Sequence, residues 1–161
     1  MGLFDFFRRN SDHVDWESIQ KSSDVYPEET IAVILTKTES GKAATGQINT
    51  AYVNYPYKKQ CAYDLQFSVE MPNEDNPDFP DMMSIEDFFL DALRKKCVAH
   101  RVSRVTTDFG FIMDVYVDDA QSAQEILTEI NDRENLGFEF GCGFNYDPKW
   151  KEYKRVLKTF T

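Results

Sequence analysis

Residues Tyr63 to Met71 alternate without interruption. Tyr63, Leu65, Phe67, Val69 and Met71 are apolar, while Asp64, Gln66, Ser68 and Glu70 are polar. A two-residue period puts the first set on one side of an extended chain and the second on the other, so the stretch predicts a strand with one buried and one wet face. Such a strand cannot stand alone. Its apolar face needs a cover, and the chain that follows supplies one.

Residues 72–83 contain three prolines and four acids and read as a loop. Ser84 then opens a helix, with Asp87 three residues on as a variant of the capping box. Ile85, Phe88, Phe89, Ala92 and Leu93 recur at the spacing of a core-facing helical stripe. Arg94, Lys95 and Lys96 close it, where the negative end of the helix favours cations. Two strands come next, Val98 to Thr107 and Phe111 to Val117, joined at Asp108-Phe109-Gly110. Asp119 caps a second helix with Ala123, Ile126, Leu127 and Ile130 as its stripe, and Asn135 and Gly137 end it. Phe138, Phe140, Cys142 and Phe144 alternate as a further strand, with Gly141 and Gly143 permitting close approach on its other face. Asp147-Pro148 predicts an N-cap followed by Pro at the first helical position, and Trp150, Tyr153, Leu157 and Phe160 form the apolar stripe of a last helix.

From residue 62 onward the order is therefore βαββαβ plus a terminal helix. This order predicts an α+β, ferredoxin-like antiparallel sheet with helices on one face. Upstream, Ile31 to Leu35 is a β-branched run and Gln47 to Asn54 a second strand, and both extend the sheet. Residues 1–29 are expected to form an arm with a short helix that pins Trp16 to the domain, and residues 30–161 a single domain. Leu3, Phe4, Phe6 and Phe7 make a short amphipathic turn that docks, frays or touches a membrane.

Composition narrows the function classes. Asp and Glu total 28 against 18 Lys and Arg, a formal charge of −10, which argues against a general nucleic-acid binder. No apolar run reaches the roughly 20 residues of a membrane span. Three scattered cysteines, Cys61, Cys97 and Cys142, suit reduced thiols and a cytoplasmic location.

Local motifs add little chemistry. Cys97 and His100 have metal-ligand spacing, but only Cys61, Cys142 and His13 could complete a zinc site, and one member closes a helix while the other enters a strand. The acidic stretch Asn73 to Asp78 lacks the glycine and closing glutamate of a calcium loop. Gly41-Lys42-Ala43 lacks the rest of a phosphate loop, and Asp108-Phe109-Gly110 is a hairpin turn without the other kinase signatures. No cofactor and no catalytic residues are expected. What stands out is charge polarity. Glu70, Glu74, Asp75, Asp78, Asp81, Glu86, Asp87 and Asp91 occur with no base among them, whereas Lys151, Lys154, Arg155 and Lys158 line the last helix.

Two blocks are familiar. Val102 to Asp118 resembles the strand–turn–strand block of an uncharacterised bacterial family, and Asp147-Pro148-Lys149-Trp150-Lys-Glu-Tyr153 is similar to its closing Asp-Pro-x-Trp-x-x-Tyr motif. That family is the domain-of-unknown-function group numbered six hundred and ninety-five. In layout it resembles the regulator of ribonuclease E activity B, a small acidic protein that inhibits its nuclease by binding it. The resemblance implies no catalytic residues and makes Asp147, Pro148, Trp150 and Tyr153 a docked helix start. The resulting expectation is a non-enzymatic protein-binding module, a ribonuclease-type regulator or an immunity-type inhibitor, meeting a basic partner through Glu74, Asp75, Asp78, Asp81, Glu86, Asp87 and Asp91. The alternatives are a small enzyme with an unrecognised site, or a structural domain that oligomerises through an exposed edge of the sheet.

Overall fold

A computed structural model describes residues 14–72 and 80–160 of the chain. The Leu3–Phe7 turn and His13 lie outside those residues, as do Glu74, Asp75 and Asp78. Six strands form one antiparallel sheet: β1 (Ile31–Lys37), β2 (Ala43–Asn49), β3 (Tyr63–Glu70), β4 (Ala99–Thr106), β5 (Gly110–Val117) and β6 (Glu139–Tyr146), in the order β1-β2-β4-β5-β3-β6. Four α-helices accompany them among the described residues: α1 (Trp16–Gln20), α2 (Met82–Arg94), α3 (Ala120–Asn131) and α4 (Lys151–Thr159). The α+β class and the terminal helix agree with the sequence pattern. So does the extension by two early strands, which add beyond β4.

The sheet has two cores because side chains alternate between its faces. Leu65, Phe67 and Val69 of β3 meet Phe111, Met113, Val115 and Val117 of β5 on one face, under Ile85, Phe89 and Leu93 of α2 and Ala123, Leu127 and Ile130 of α3. On the opposite face Ile48, Val102 and Tyr116 pack against Trp150 and Tyr153, with Val25, Tyr52 and Tyr55 completing the cluster. The helices thus divide. The pair α2 and α3 covers one face, while α4 and the segment around α1 cover the other.

Several boundaries differ from expectation for local reasons. Helix α2 starts earlier than Ser84: Asp81 is its N-cap, and Asp81 Oδ1 accepts the Ser84 N–H at 2.8 Å. The second early strand spans Ala43–Asn49 rather than 47–54, because Asn49 turns the chain into a 3-10 turn (Thr50–Tyr52) by accepting the Ala51 N–H at 3.1 Å. Helix α4 starts at Lys151, so Pro148 is not its first residue. Trp150 stands at the N-cap in the left-handed region, φ 52°. Asp147 nonetheless does the capping from a distance, accepting the N–H groups of Lys151 (2.9 Å) and Glu152 (3.0 Å). Strand β6 is an outer strand paired with β3, and a Cβ at Gly141 or Gly143 would meet open space, so among the described residues nothing packs against the face their missing side chains would occupy.

Strand β3 is wet on its polar face only in part. Gln66, Ser68 and Glu70 are exposed, but Asp64 is buried.

Candidate functional site

The four acids of α2 and its cap divide into three groups. Asp87 and Asp91 stand exposed on α2, one turn apart, in line with Met83, which is 66% exposed. Asp81 is occupied as the α2 cap, and the Ser84 N–H holds its pKa below the usual carboxylate range. Glu86 does not share the exposed surface. It points into the sheet and pairs with Arg101 (3.0 Å) and Arg104 (3.1 Å), all three side chains being nearly buried. Burial raises the Glu86 pKa against the pull of the two guanidiniums. Two strand residues three apart would ordinarily point to opposite faces. A β-bulge between Arg101 and Ser103 shifts the register and brings both arginines to the same carboxylate.

The β4–β5 turn adds an apolar feature next to Glu70, the first acid of the run. Phe109 is 72% exposed at its tip. Its carbonyl accepts the Met71 N–H at 2.7 Å, so the tip is tied to the end of β3 next to Glu70. Asp108 is tied in turn to Ser40, whose hydroxyl and N–H (3.0 Å) both donate to it, which lowers the Asp108 pKa. Glu39, Glu70, Asp108 and Phe109 line one shallow groove together with Lys37.

On the opposite face lies a cluster of carboxylates that sequence reading missed. Asp64 of β3 and Asp114 of β5 are buried, and Asp147 is buried ahead of α4. Asp114 accepts hydrogen bonds from Ser103 (3.0 Å) and Gln66 (3.2 Å), yet burial still raises its pKa. Burial would raise that of Asp147 too, but the N–H groups of Glu152 and Lys151 and the Tyr116 hydroxyl (2.8 Å) outweigh it and hold the group below its usual range. Asp64 has no such relief: its Oδ1 is buried without a hydrogen-bond partner. Burial, followed by the charges of Asp114, Glu152 and Asp147, lifts it to about 8. The alternation in residues 63–71 marks Asp64 as outward-facing. Nothing in that pattern reveals that the end of the chain returns to cover it.

The closing motif is built into the structure. The Trp150 ring stacks on Tyr116 with centroids 4.0 Å apart, and its Nε1 donates to the carbonyls of Cys61 (2.8 Å) and Lys58 (3.1 Å). Tyr153 donates to the Asn49 carbonyl at 2.8 Å, and its N–H donates to the Tyr116 hydroxyl at 3.2 Å. Pro148 sits in the turn between β6 and α4. On the solvent side of α4, Arg155 is occupied by Glu152, with its Nε 2.9 Å from Oε2, while Lys151 and Lys154 are exposed.

A comparison with protein families matches residues 34–158 to the family of unknown function DUF695. The chain belongs to DUF695. No curated protein and no solved structure matches it. The DUF695 match runs from within β1 to within α4, so it takes in the bulge, the Glu86–arginine cluster, the buried carboxylates and the closing motif, and leaves out α1.

The remaining sequence candidates in this DUF695 chain are kept apart by the fold. Cys97 packs against the α2–α3 core and donates to the Leu93 carbonyl at 3.4 Å. His100 lies on the other face, its Nδ1 2.9 Å from the Tyr52 hydroxyl and its Nε2 3.0 Å from that of Tyr55. Because Tyr55 already donates to the Val25 carbonyl (2.8 Å), its oxygen accepts from His100, which fixes the proton on Nε2 and leaves Nδ1 to accept from Tyr52. Burial, with the charge of Arg94, lowers the His100 pKa to about 3. The three cysteines are free thiols, and among the described residues no three His, Cys, Asp or Glu side chains are grouped to hold a metal ion. No helix there is long and apolar enough to cross a membrane.

Proposed function

We propose that the protein is a non-enzymatic binding module that regulates or inhibits another protein by presenting its acidic pole to a basic surface. The observation that carries this reading is Phe109, an aromatic ring 72% exposed next to Glu70 and the start of the acidic loop. Met83, Asp87 and Asp91 continue the same character along the outside of α2. Apolar side chains within a carboxylate rim suit a protein interface: the ring offers a desolvated anchor, and the charges speed encounter with a cationic partner. Asp87 and Asp91 carry the charge in this reading together with Glu74, Asp75 and Asp78. Glu86 drops out because its carboxylate is consumed by Arg101 and Arg104.

A ribonuclease-type regulator and an immunity-type inhibitor share this chemistry and differ only in the partner. The test starts with the full chain as bait in its host lysate, identifies the captured protein by mass spectrometry, and measures the purified pair by titration calorimetry. Phe109→Ala and the double variant Asp87→Lys/Asp91→Lys should each weaken binding roughly tenfold or more. Unchanged affinity in both variants rejects the acidic pole as the interface.

A further inference from the structure

Among the described residues, nothing pairs with the outer edge of strand β1 and nothing covers one of its faces. Its side chains alternate, and Ile31, Val33, Leu35 and Lys37 all point to the exposed side. Exposure rises along the strand, from 37% at Ile31 to 55% at Val33 and 87% at Leu35. This is the side of the sheet that α2 and α3 cover farther in, and they do not extend over β1. Glu29, two residues before the strand, lies on the same side, since it reaches Arg101 at 3.9 Å while remaining largely exposed. Beta-rich proteins ordinarily protect such an edge with a bulge, a proline or an inward charge. Strand β1 pairs with β2 in unbroken register from Ile31 to Lys37 and contains no proline.

The order of residues on that side, Glu29, Ile31, Val33, Leu35, Lys37, is self-complementary when reversed. We propose that β1 pairs antiparallel with β1 of a second copy of this chain across a two-fold axis at Val33. Antiparallel partners must share parity for their N–H and C=O groups to face each other, and a centre on Val33 satisfies this. In that register Val33 meets the partner's Val33, Ile31 meets the partner's Leu35, and Glu29 meets the partner's Lys37, each heterologous pair occurring twice. The apolar side chains that a monomer leaves in water then cover one another, and opposite charges close both ends. A centre one residue along, on Ile34, sets Lys37 against Ile31 and Val33 against Leu35, which loses the charge match. The contact is isologous, so it closes at two chains. Strand β6, the other outer strand, offers no such match because Glu139 is its only charge.

The test is sedimentation velocity on the full chain over a concentration series, with circular dichroism confirming that each variant is folded. The wild-type chain should show a concentration-dependent monomer–dimer equilibrium. Val33→Lys places two ammonium groups on the axis and should leave only monomer. Lys37→Glu sets acid against acid at both ends and should weaken the dimer roughly tenfold. The double variant Glu29→Lys/Lys37→Glu exchanges the charges and should restore the dimer. Val33, Lys37 and Glu29 are all exposed, and the one contact given up is the 3.9 Å approach of Glu29 to Arg101, which Glu86 still holds at 3.0 Å, so both cores stay packed. A chain that is monomeric at every concentration overturns the proposal, as does a dimer that survives Val33→Lys. A dimer lost in Lys37→Glu and not recovered in the double variant overturns the register.

Discussion

Replacing Asp64 with asparagine tests whether the fold holds a proton on a carboxyl it has nowhere to ionise. Asp64 is nearly inaccessible, Oδ1 has no hydrogen-bond partner, and Asp114, Glu152 and Asp147 surround it, so its pKa rises from 3.8 to about 8. In the unfolded chain the group titrates near 4. Between about pH 4 and pH 8 the folded protein therefore keeps a proton that the unfolded chain has released, and stability falls as pH rises through that window. At pH 7 about three units of the difference have accrued, which at roughly 1.4 kcal/mol per unit sets a ceiling near 4 kcal/mol. Interiors respond to charge with an effective dielectric well above that of dry protein, so about 2 kcal/mol is the working figure. Asparagine matches the shape, cannot ionise, and offers N–H groups to the surrounding carboxylates. Asp64→Asn should therefore be about 2 kcal/mol more stable than the wild type near pH 7 and about equal to it near pH 4. Urea unfolding followed by tryptophan fluorescence at a series of pH values measures both, with the buried Trp150 as reporter. Parallel curves for the two proteins, or a variant less stable at neutral pH, refute a protonated Asp64 in the folded state.

Three more substitutions probe the other load points of the fold. Glu86→Ala leaves Arg101 and Arg104 buried without their carboxylate and should cost about 3–5 kcal/mol in denaturant unfolding; a loss of less than about 1 kcal/mol means the pair is not held as described. Gly110→Ala puts a methyl 2.0 Å from the Val69 carbonyl oxygen, so the β3–β5 backbones must separate, at a cost of about 3 kcal/mol, read as a lowered melting temperature. Asp147→Ala removes the acceptor shared by Tyr116 and the first N–H groups of α4, and a loss of about 2 kcal/mol is expected, with faster amide exchange confined to the start of that helix.

Repeating patterns explain what was legible. The alternation in β3 and β5 and the helical stripes of α2 and α3 are local consequences of backbone geometry, and a core-facing residue betrays itself by recurring at the right interval. The acidic run was legible as a run but not as a surface. A helix period places Glu86 beside Asp87, yet only the position of two arginines on β4 draws one inward and leaves the other in water. The capping positions shifted by up to three residues because Asp81 and Asp147 act through side-chain geometry that neighbouring serine and proline imitate in sequence.

The sequence by itself determined the α+β class, the order of elements, the apolar faces of β3, β5, α2 and α3, and the excess of negative charge, since each follows from short-range periodicity or a sum over residues. The tertiary structure alone decided which face each helix covers, that a bulge gathers Arg101 and Arg104 onto Glu86, that Asp64 is sealed among carboxylates, and that β1 has a bare edge among the described residues. These depend on which distant segments meet. Burial, pKa and exposure belong to the environment of a side chain, and that environment is assembled from parts of the chain up to about a hundred residues apart, as Trp16 with Asp118 and Tyr153 with Asn49 show.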